Sequence, residues 1–165
     1  MTTDEFKTQN APYKLRGFVS SDTDGILRLF RSSVYSLCAK DYSPRQLEAW
    51  ASCADKARWQ AQFSARHTTV ATADGIIVGF CDCENNGHID RLYVLPGYEG
   101  KGIGKALVYD AESSHNCPVT TVEASLTAKP FFEKLGYTAD RKQSVLRNGE
   151  YLENYKMFKK MSDPS

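Results

Sequence analysis

The stretch Leu92-Tyr93-Val94, followed after Leu95 to Glu99 by Gly100-Lys101-Gly102-Ile103-Gly104-Lys105-Ala106-Leu107, decides how this 165-residue chain is read. It joins a short β-branched and aromatic strand to a glycine-dense turn and then an amphipathic helix. Glycines remove Cβ atoms where a backbone must curl round a phosphate. The N–H groups of a first helical turn have no partner within the helix and can point at the anion. Lys101 and Lys105 add positive charge beside it. The segment therefore reads as a strand-turn-helix that binds a diphosphate.

Spacing excludes two common phosphate loops. A Walker A loop needs a glycine where Glu99 stands and a Ser or Thr where Ala106 stands. A dinucleotide fingerprint needs G-x-G-x-x-G, and the third glycine is missing from Gly100 to Lys105 and again from Gly102 to Leu107. What remains resembles motif A of the GCN5-related N-acetyltransferases (GNAT family), Gln/Arg-x-x-Gly-x-Gly/Ala, standing here as Glu99-Gly100-Lys101-Gly102-Ile103-Gly104. The departure is Glu99, a carboxylate where the family usually has Gln or Arg. Downstream, Thr127-Ala128-Lys129-Pro130-Phe131-Phe132-Glu133-Lys134-Leu135-Gly136-Tyr137 resembles the family's Ala-x-x-Phe-Tyr-Glu-Lys-x-Gly-Phe segment. Tyr42-Ser43-Pro44, with Gln46 and Trp50, and the run Thr127 to Glu133 are similar to a subgroup of uncharacterised bacterial acetyltransferases.

Composition sets the wider frame. The length suits one domain that buries a core without disulfides or metal, and we take 13–161 as that domain, with tails at 1–12 and 162–165. Twenty-one Lys and Arg against 20 Asp and Glu leave a formal charge of +1, which argues against a broad nucleic-acid or membrane-binding surface. The polar start Thr2-Thr3-Asp4-Glu5 is unlike a secretion signal, so the expected location is cytoplasmic. Five cysteines without a C-x-x-C pair fit a reducing compartment. Cys81 and Cys83 share a strand face as small buried residues, and no metal is expected.

Periodicity supplies the rest of the fold. Tyr13 to Phe18 alternates like a strand; Asp22 or Thr23 caps a helix bearing Ile26, Leu27, Phe30, Val34 and Leu37. Ser43 and Pro44 start another helix through Leu47, Trp50 and Ala51, and a further helical run covers Asp55 to Ala65. Thr68 to Ala73 and Ile76 to Cys83 form a hairpin through Asp74-Gly75, and Asn85-Asn86-Gly87 turns into a strand at His88 to Val94. The helix bearing Ile103, Ala106, Leu107 and Ala111 leads to a strand at Val119 to Ser125. Thr127 caps a short helix that Gly136 stops, and Asn148-Gly149 joins Tyr137 to Arg147 with Tyr151 to Lys160. The order is written β-α-α-β-β-β-α-β-α-β-β. It is an α/β (α+β mixed) class that agrees with the GNAT fold, a single mixed, mostly antiparallel and splayed sheet flanked by helices.

The resemblance implies an acetyl-CoA-dependent transfer to an amine, with acetyl-CoA as co-substrate. It implies that the backbone of Leu92, Tyr93 and Val94 pairs with the pantetheine, and that Glu99, Gly100, Lys101, Gly102, Ile103, Gly104 and Lys105 cradle the pyrophosphate. Ser125 and Phe131 would line the coenzyme. Alternation puts His88, Asp90, Leu92 and Val94 on one strand face and Ile89, Arg91 and Tyr93 on the other. His88 falls near a catalytic carboxylate of some family members and is the candidate base; equally, it ends a turn. Asp90 is a second candidate base or binds a cationic substrate, and it equally pairs with Arg91. The family's usual tyrosine donor is replaced by Phe132, so Tyr155 is the preferred source of the thiolate's proton, solvent being the alternative. Tyr42, Asp90 and Glu123 are the candidate acceptor contacts, and the loop from Ala39 to Gln46 would overhang the pocket.

Three alternatives stay open: another acyl-CoA donor, a coenzyme A-binding regulatory module without turnover, and an acyl-enzyme on Cys117 or Cys53. The expected partners are acetyl-CoA and an amine-bearing acceptor, without nucleic acid or membrane. Homodimers are common in the family.

Overall fold

The computed structural model describes residues 12–162, so the expected tails lie almost wholly outside the described residues. Its elements are β1 (Lys14–Gly17), α1 (Thr23–Leu37), α2 (Pro44–Ala51), α3 (Lys56–Ala65), β2 (His67–Ala73), β3 (Ile76–Cys83) and β4 (His88–Val94). Then come α4 (Ile103–Ser113), β5 (Val119–Ser125), α5 (Lys129–Lys134), β6 (Thr138–Arg147) and β7 (Glu150–Lys160). The order β-α-α-β counts two helices before β2; among the described residues there are three, since the helical run expected over Asp55 to Ala65 is a helix of its own, set off from α2 by Ser52 to Asp55.

Local chemistry explains most boundaries. Ser43 and Gln46 form a reciprocal cap at α2: the Gln46 N–H donates to Ser43 Oγ (3.2 Å) and the Ser43 N–H to Gln46 Oε1 (2.8 Å). Asp55 Oδ1 accepts the Arg58 N–H at 2.8 Å to start α3. Asp74 (φ +52°) with Gly75 (φ +78°), and Asn148 (φ +44°) with Gly149 (φ +86°), adopt the left-handed pairs that match the twist of hairpin strands.

Two expected caps are corrected. Asp22 does not cap α1, because its carboxylate is held by Arg16 (2.8 and 2.9 Å) and the Val19 N–H (2.9 Å), and the Thr23 hydroxyl donates to Ser20 O at 2.8 Å. Thr127 does not cap α5; its hydroxyl donates to Asp41 at 2.7 Å, and Ser125 Oγ accepts the Ala128 N–H instead, at 3.0 Å. Both losses arise from partners outside the local segment.

The seven strands lie in the order β1-β2-β3-β4-β5-β7-β6, and every neighbouring pair is antiparallel except β4 with β5. On one face α4 and α5 cover Cys81, Cys83, Ile89, Val122 and Met157. On the other, α1 to α3 cover Val70, Phe80 and Leu152 with Phe30, Trp59 and Phe63. Burial of such side chains contributes about 1.5–3 kcal/mol each, and the two apolar layers hold the sheet edges that frame the site. Among the described residues no helix is long and apolar enough to cross a membrane.

The expected alternation along β4 is also corrected. Asp82 pairs with Arg91 while Cys83 pairs with Ile89, so Asp90 is the extra residue of a β-bulge. His88 and Asp90 still share the face of α1 to α3, but Arg91 and Tyr93 join them there, and Leu92 and Val94 turn to the α4 face with Ile89. The bulge rests on a buried ionic knot: Asp82 Oδ2 accepts from Arg66 at 2.9 Å and from Arg91 at 2.8 Å, and the Arg91 guanidinium lies 4.3 Å from the Trp59 ring.

Candidate active site

Strands β4 and β5 pair only at His88 with Thr121 and Ile89 with Val122; beyond those residues they diverge. From there β4 remains bonded to β3 up to Val94, and β5 to β7 up to Ser125. The edges from Asp90 to Val94 and from Glu123 to Ser125 thus face a gap, and a bulge at the parting point increases the local twist that opens it. A cleft of about 530 Å³ fills the gap, lined by Leu92, Tyr93, Val94, Ala124, Ser125 and Phe131 and reaching the glycine turn. An unpaired strand edge offers backbone donors and acceptors to an extended ligand.

At the turn, Gly100 (φ +74°) and Gly102 (φ +83°) hold left-handed conformations that side chains resist. The first bond of the α4 ladder runs from the Ala106 N–H to Gly102 O (3.0 Å), so the N–H groups of Ile103, Gly104 and Lys105 lie outside it. Both Glu99 oxygens accept the Gly97 N–H (3.0 and 3.1 Å), so this departure from the family pattern braces the turn. A Cβ on Gly104 would lie 3.1 Å from Phe131 Cζ, which shows how closely α4 and α5 approach across the cleft. Glu99, Gly100, Gly102, Ile103, Gly104 and Lys105 all line the cleft. Lys101 lies apart, in a neighbouring groove with Tyr13 and Tyr98.

A second, smaller cleft of about 110 Å³ lies on the α1–α3 face. Trp50, Asp90, Tyr93, Glu123 and Ser125 line both cavities, so the two meet there. His88 lines only the smaller one, with Nδ1 2.8 Å from Thr121 Oγ1. Asp90 Oδ2 is held by Arg66 at 2.6 Å and by Arg91 at 3.5 Å, whereas Glu123 has no ion pair among the described residues. The pocket is fastened by Tyr42, whose hydroxyl accepts the Leu126 N–H (2.9 Å) and donates to Glu153 O (2.5 Å). Burial raises the Tyr42 phenol to about 12.

The expected site residues therefore divide. His88, Asp90, Glu123 and Tyr42 come together around the smaller cleft. Tyr155 does not join them: it pairs with Ala124 and packs on the α4 face, with the Lys129 ammonium 4.9 Å from its ring. Phe132 is buried and lines the larger cleft. Sequence reading missed Ser33, whose hydroxyl donates to Val94 O (3.1 Å), and Arg147 and Asn154, which line the smaller cleft from the last hairpin. Helical spacing assigns Ser33 no function, and only the strand register brings the other two to the pocket.

A sheet split at one parallel pair, with a glycine turn at one end of the cleft and a smaller pocket at the other, defines a coenzyme-dependent acyltransferase architecture. The chain belongs to the GNAT family: the model for the acetyltransferase (GNAT) domain matches residues 38–159. It is 32% identical over 144 residues to the uncharacterised N-acetyltransferase YafP of Escherichia coli K12, covering 87% of this chain and 93% of that protein. A GCN5-related N-acetyltransferase structure from Rhodopseudomonas palustris, also described as a class-II aminotransferase, superposes with a TM-score of 0.86 at 38% identity. That match covers 92% of this chain and 97% of the other. PaiA N-acetyltransferase from Thermoplasma acidophilum, solved in complex with coenzyme A, shares the fold with a TM-score of 0.74 at 20% identity, covering 90% and 99%.

Proposed function

We propose that this acetyltransferase moves an acetyl group from acetyl-CoA to a primary amine of a small molecule or peptide, directly, within a ternary complex. The observation that carries the reading is the meeting of the two clefts at Asp90, Glu123 and Ser125, where a thioester from one side would face an amine from the other. The turn amides of Ile103, Gly104 and Lys105, with the Lys105 ammonium, suit a pyrophosphate, and the open edge from Leu92 to Val94 suits a pantetheine arm.

His88 is the better base of the two candidates. Its imidazole is oriented by Thr121 on the acceptor side only, whereas Asp90 Oδ2 already serves two guanidiniums. The amine nitrogen attacks the thioester carbonyl, His88 takes the amine's proton, and the coenzyme leaves as a thiolate that gains a proton. Solvent at the open cleft fits that last role better than Tyr155, which lies across the sheet from His88.

Direct transfer is favoured by where the thiols lie. Cys53 donates to Ala49 O (3.2 Å) and Cys117 to Asn85 O (3.5 Å), and neither lines either cleft. Cys38 does line the larger one, but burial raises its thiol pKa and suppresses the thiolate.

Thiol release from acetyl-CoA across a panel of amines, with varied concentrations of both substrates, tests the reading: intersecting initial-rate lines are expected. Parallel lines would indicate an acyl-enzyme, and coenzyme binding without release on any amine would indicate a regulatory module. For the base, His88→Ala is expected to lower kcat/KM about 10²- to 10⁴-fold and to flatten the rising limb of the pH–rate curve. A limb that keeps its position would transfer the role to solvent.

A further inference from the structure

We propose that the acceptor is a small amine that also carries an anionic group, a carboxylate or a phosphate ester, and that Arg147 binds that group. This rests on the acetyl-transfer reading of the two clefts and adds the acceptor's chemistry. Among the described residues, Arg147 is the one Lys or Arg lining the smaller cleft. Of the three carboxylates there, Asp90 is ion-paired with Arg66 and, at 3.5 Å, with Arg91, and Glu153 with Lys142 at 2.7 Å. That leaves one anion, Glu123, and one cation, Arg147, neither in an ion pair among the described residues. A pocket with one carboxylate and one guanidinium outside any ion pair complements a zwitterion, with the ammonium near Glu123 at the junction and the anion at Arg147.

Register gives the separation of the two groups. Ser125 at the junction is level with Asn154 and, through it, with Gln143, and Arg147 lies further along the same strand on the same face. From Ser125, Arg147 lies four residues further along, about 13 Å at about 3.3 Å per residue, and two strands across, about 10 Å at about 4.8 Å per strand, less what the long arginine arm recovers. The amine and the anion are therefore several bonds apart. Level with Ser125 lies Asn154, whose Oδ1 is buried and without a partner among the described residues, while the Nε2 of its neighbour Gln143 is likewise unpaired there and does not bond to it. A buried carbonyl oxygen without a donor is costly, and an N–H or hydroxyl of the acceptor would satisfy it.

The outer wall limits size. Asn148 Nδ2 donates to Ser52 Oγ (2.9 Å), Gln46 Nε2 to Tyr151 O (2.9 Å) and Tyr42 to Glu153 O, which fastens the hairpin of β6 and β7 onto α2. These bonds fix the hairpin wall, and the small volume of the cleft, about 110 Å³, suits a small molecule over a protein chain end.

Calorimetric titration of protein saturated with coenzyme A decides the matter by binding, so a failure of acetyl transfer would appear separately, as absent thiol release. The probes are 4-aminobutyrate against its amide, 6-aminohexanoate against its amide, and O-phosphoethanolamine against ethanolamine. The anionic member of at least one pair is expected to bind about tenfold tighter or better, and R147Q to bring that ratio close to one, with R147K intermediate. The pair showing the preference tells carboxylate from phosphate. Equal affinity within every pair, no binding of any anionic member at millimolar concentration, a ratio unchanged in R147Q, or tighter binding of spermidine or a short peptide would each overturn the proposal.

Discussion

Gly102→Val is expected to abolish measurable coenzyme A binding, a loss of ~100-fold or more in affinity. Gly102 has open space round a would-be Cβ, whose nearest neighbour is the Tyr13 hydroxyl at 3.7 Å, so bulk is not the obstacle. The obstacle is φ +83° at the residue that opens α4, a conformation costing an ordinary side chain about 1–2 kcal/mol and a β-branched one more. Valine relieves that strain by rotating the turn, which carries the amides of Ile103 to Lys105 away from the anion. Losing one or two charge-assisted hydrogen bonds at about 1.5–3 kcal/mol each accounts for the hundredfold.

Gly104→Asp reaches the same end by another route. A carboxylate in the first turn of a helix stabilises the helix itself. The same charge repels a phosphate, and its Cβ would press on Phe131. Calorimetry with coenzyme A and a thermal melt should therefore show Gly104→Asp folded, at or near wild-type stability, yet blind to the coenzyme. Wild-type affinity in either folded variant would remove the anion cradle from the account.

What the sequence disclosed about this site was local, and what it concealed was long-range. The Asp74-Gly75 and Asn148-Gly149 turns, the Ser43 cap and the glycine turn before α4 are each written in a few adjacent residues, and each is present in the structure. The exchange of caps at α5 was illegible because the partner of Thr127 is Asp41, on a loop 86 residues earlier. The bulge at Asp90 was illegible because period-two alternation has no term for an extra residue; what holds it is Asp82 on the neighbouring strand and Arg66 at the end of α3. Arg147 and Asn154 gained significance only when β7 was found between β5 and β6. Candidate binding residues could thus be read from motif and spacing, and the wall of the smaller cleft could not.

Asp82→Ala is expected to destabilise the protein by about 3–5 kcal/mol and to disorder the smaller cleft. Asp82 is fully buried and accepts from Arg66 and Arg91 through one oxygen, Oδ2, leaving Oδ1 without a partner. Alanine leaves the Arg91 guanidinium, 12% exposed and packed over Trp59, without its buried anion. Arg66 would keep Glu84 and Asp90. Asp82→Asn is a different change, since an amide oxygen can retain both bonds while its nitrogen takes the place of the idle Oδ1, so a clearly smaller loss is expected.

The pH dependence separates the charge from the packing. Burial, opposed by Arg91 and Arg66, leaves the Asp82 carboxyl with a pKa above the ordinary value near 3.8. As pH rises from about 4, the unfolded chain therefore releases this proton first, and the folded protein loses stability until its own carboxyl has ionised. Chemical denaturation of wild type and Asp82→Asn across that window should show the variant lacking this decline. Identical slopes, or an Asp82→Ala variant within 1 kcal/mol of wild type, would mean that the ionic knot neither supports the bulge nor fixes Asp90 at the junction of the two clefts.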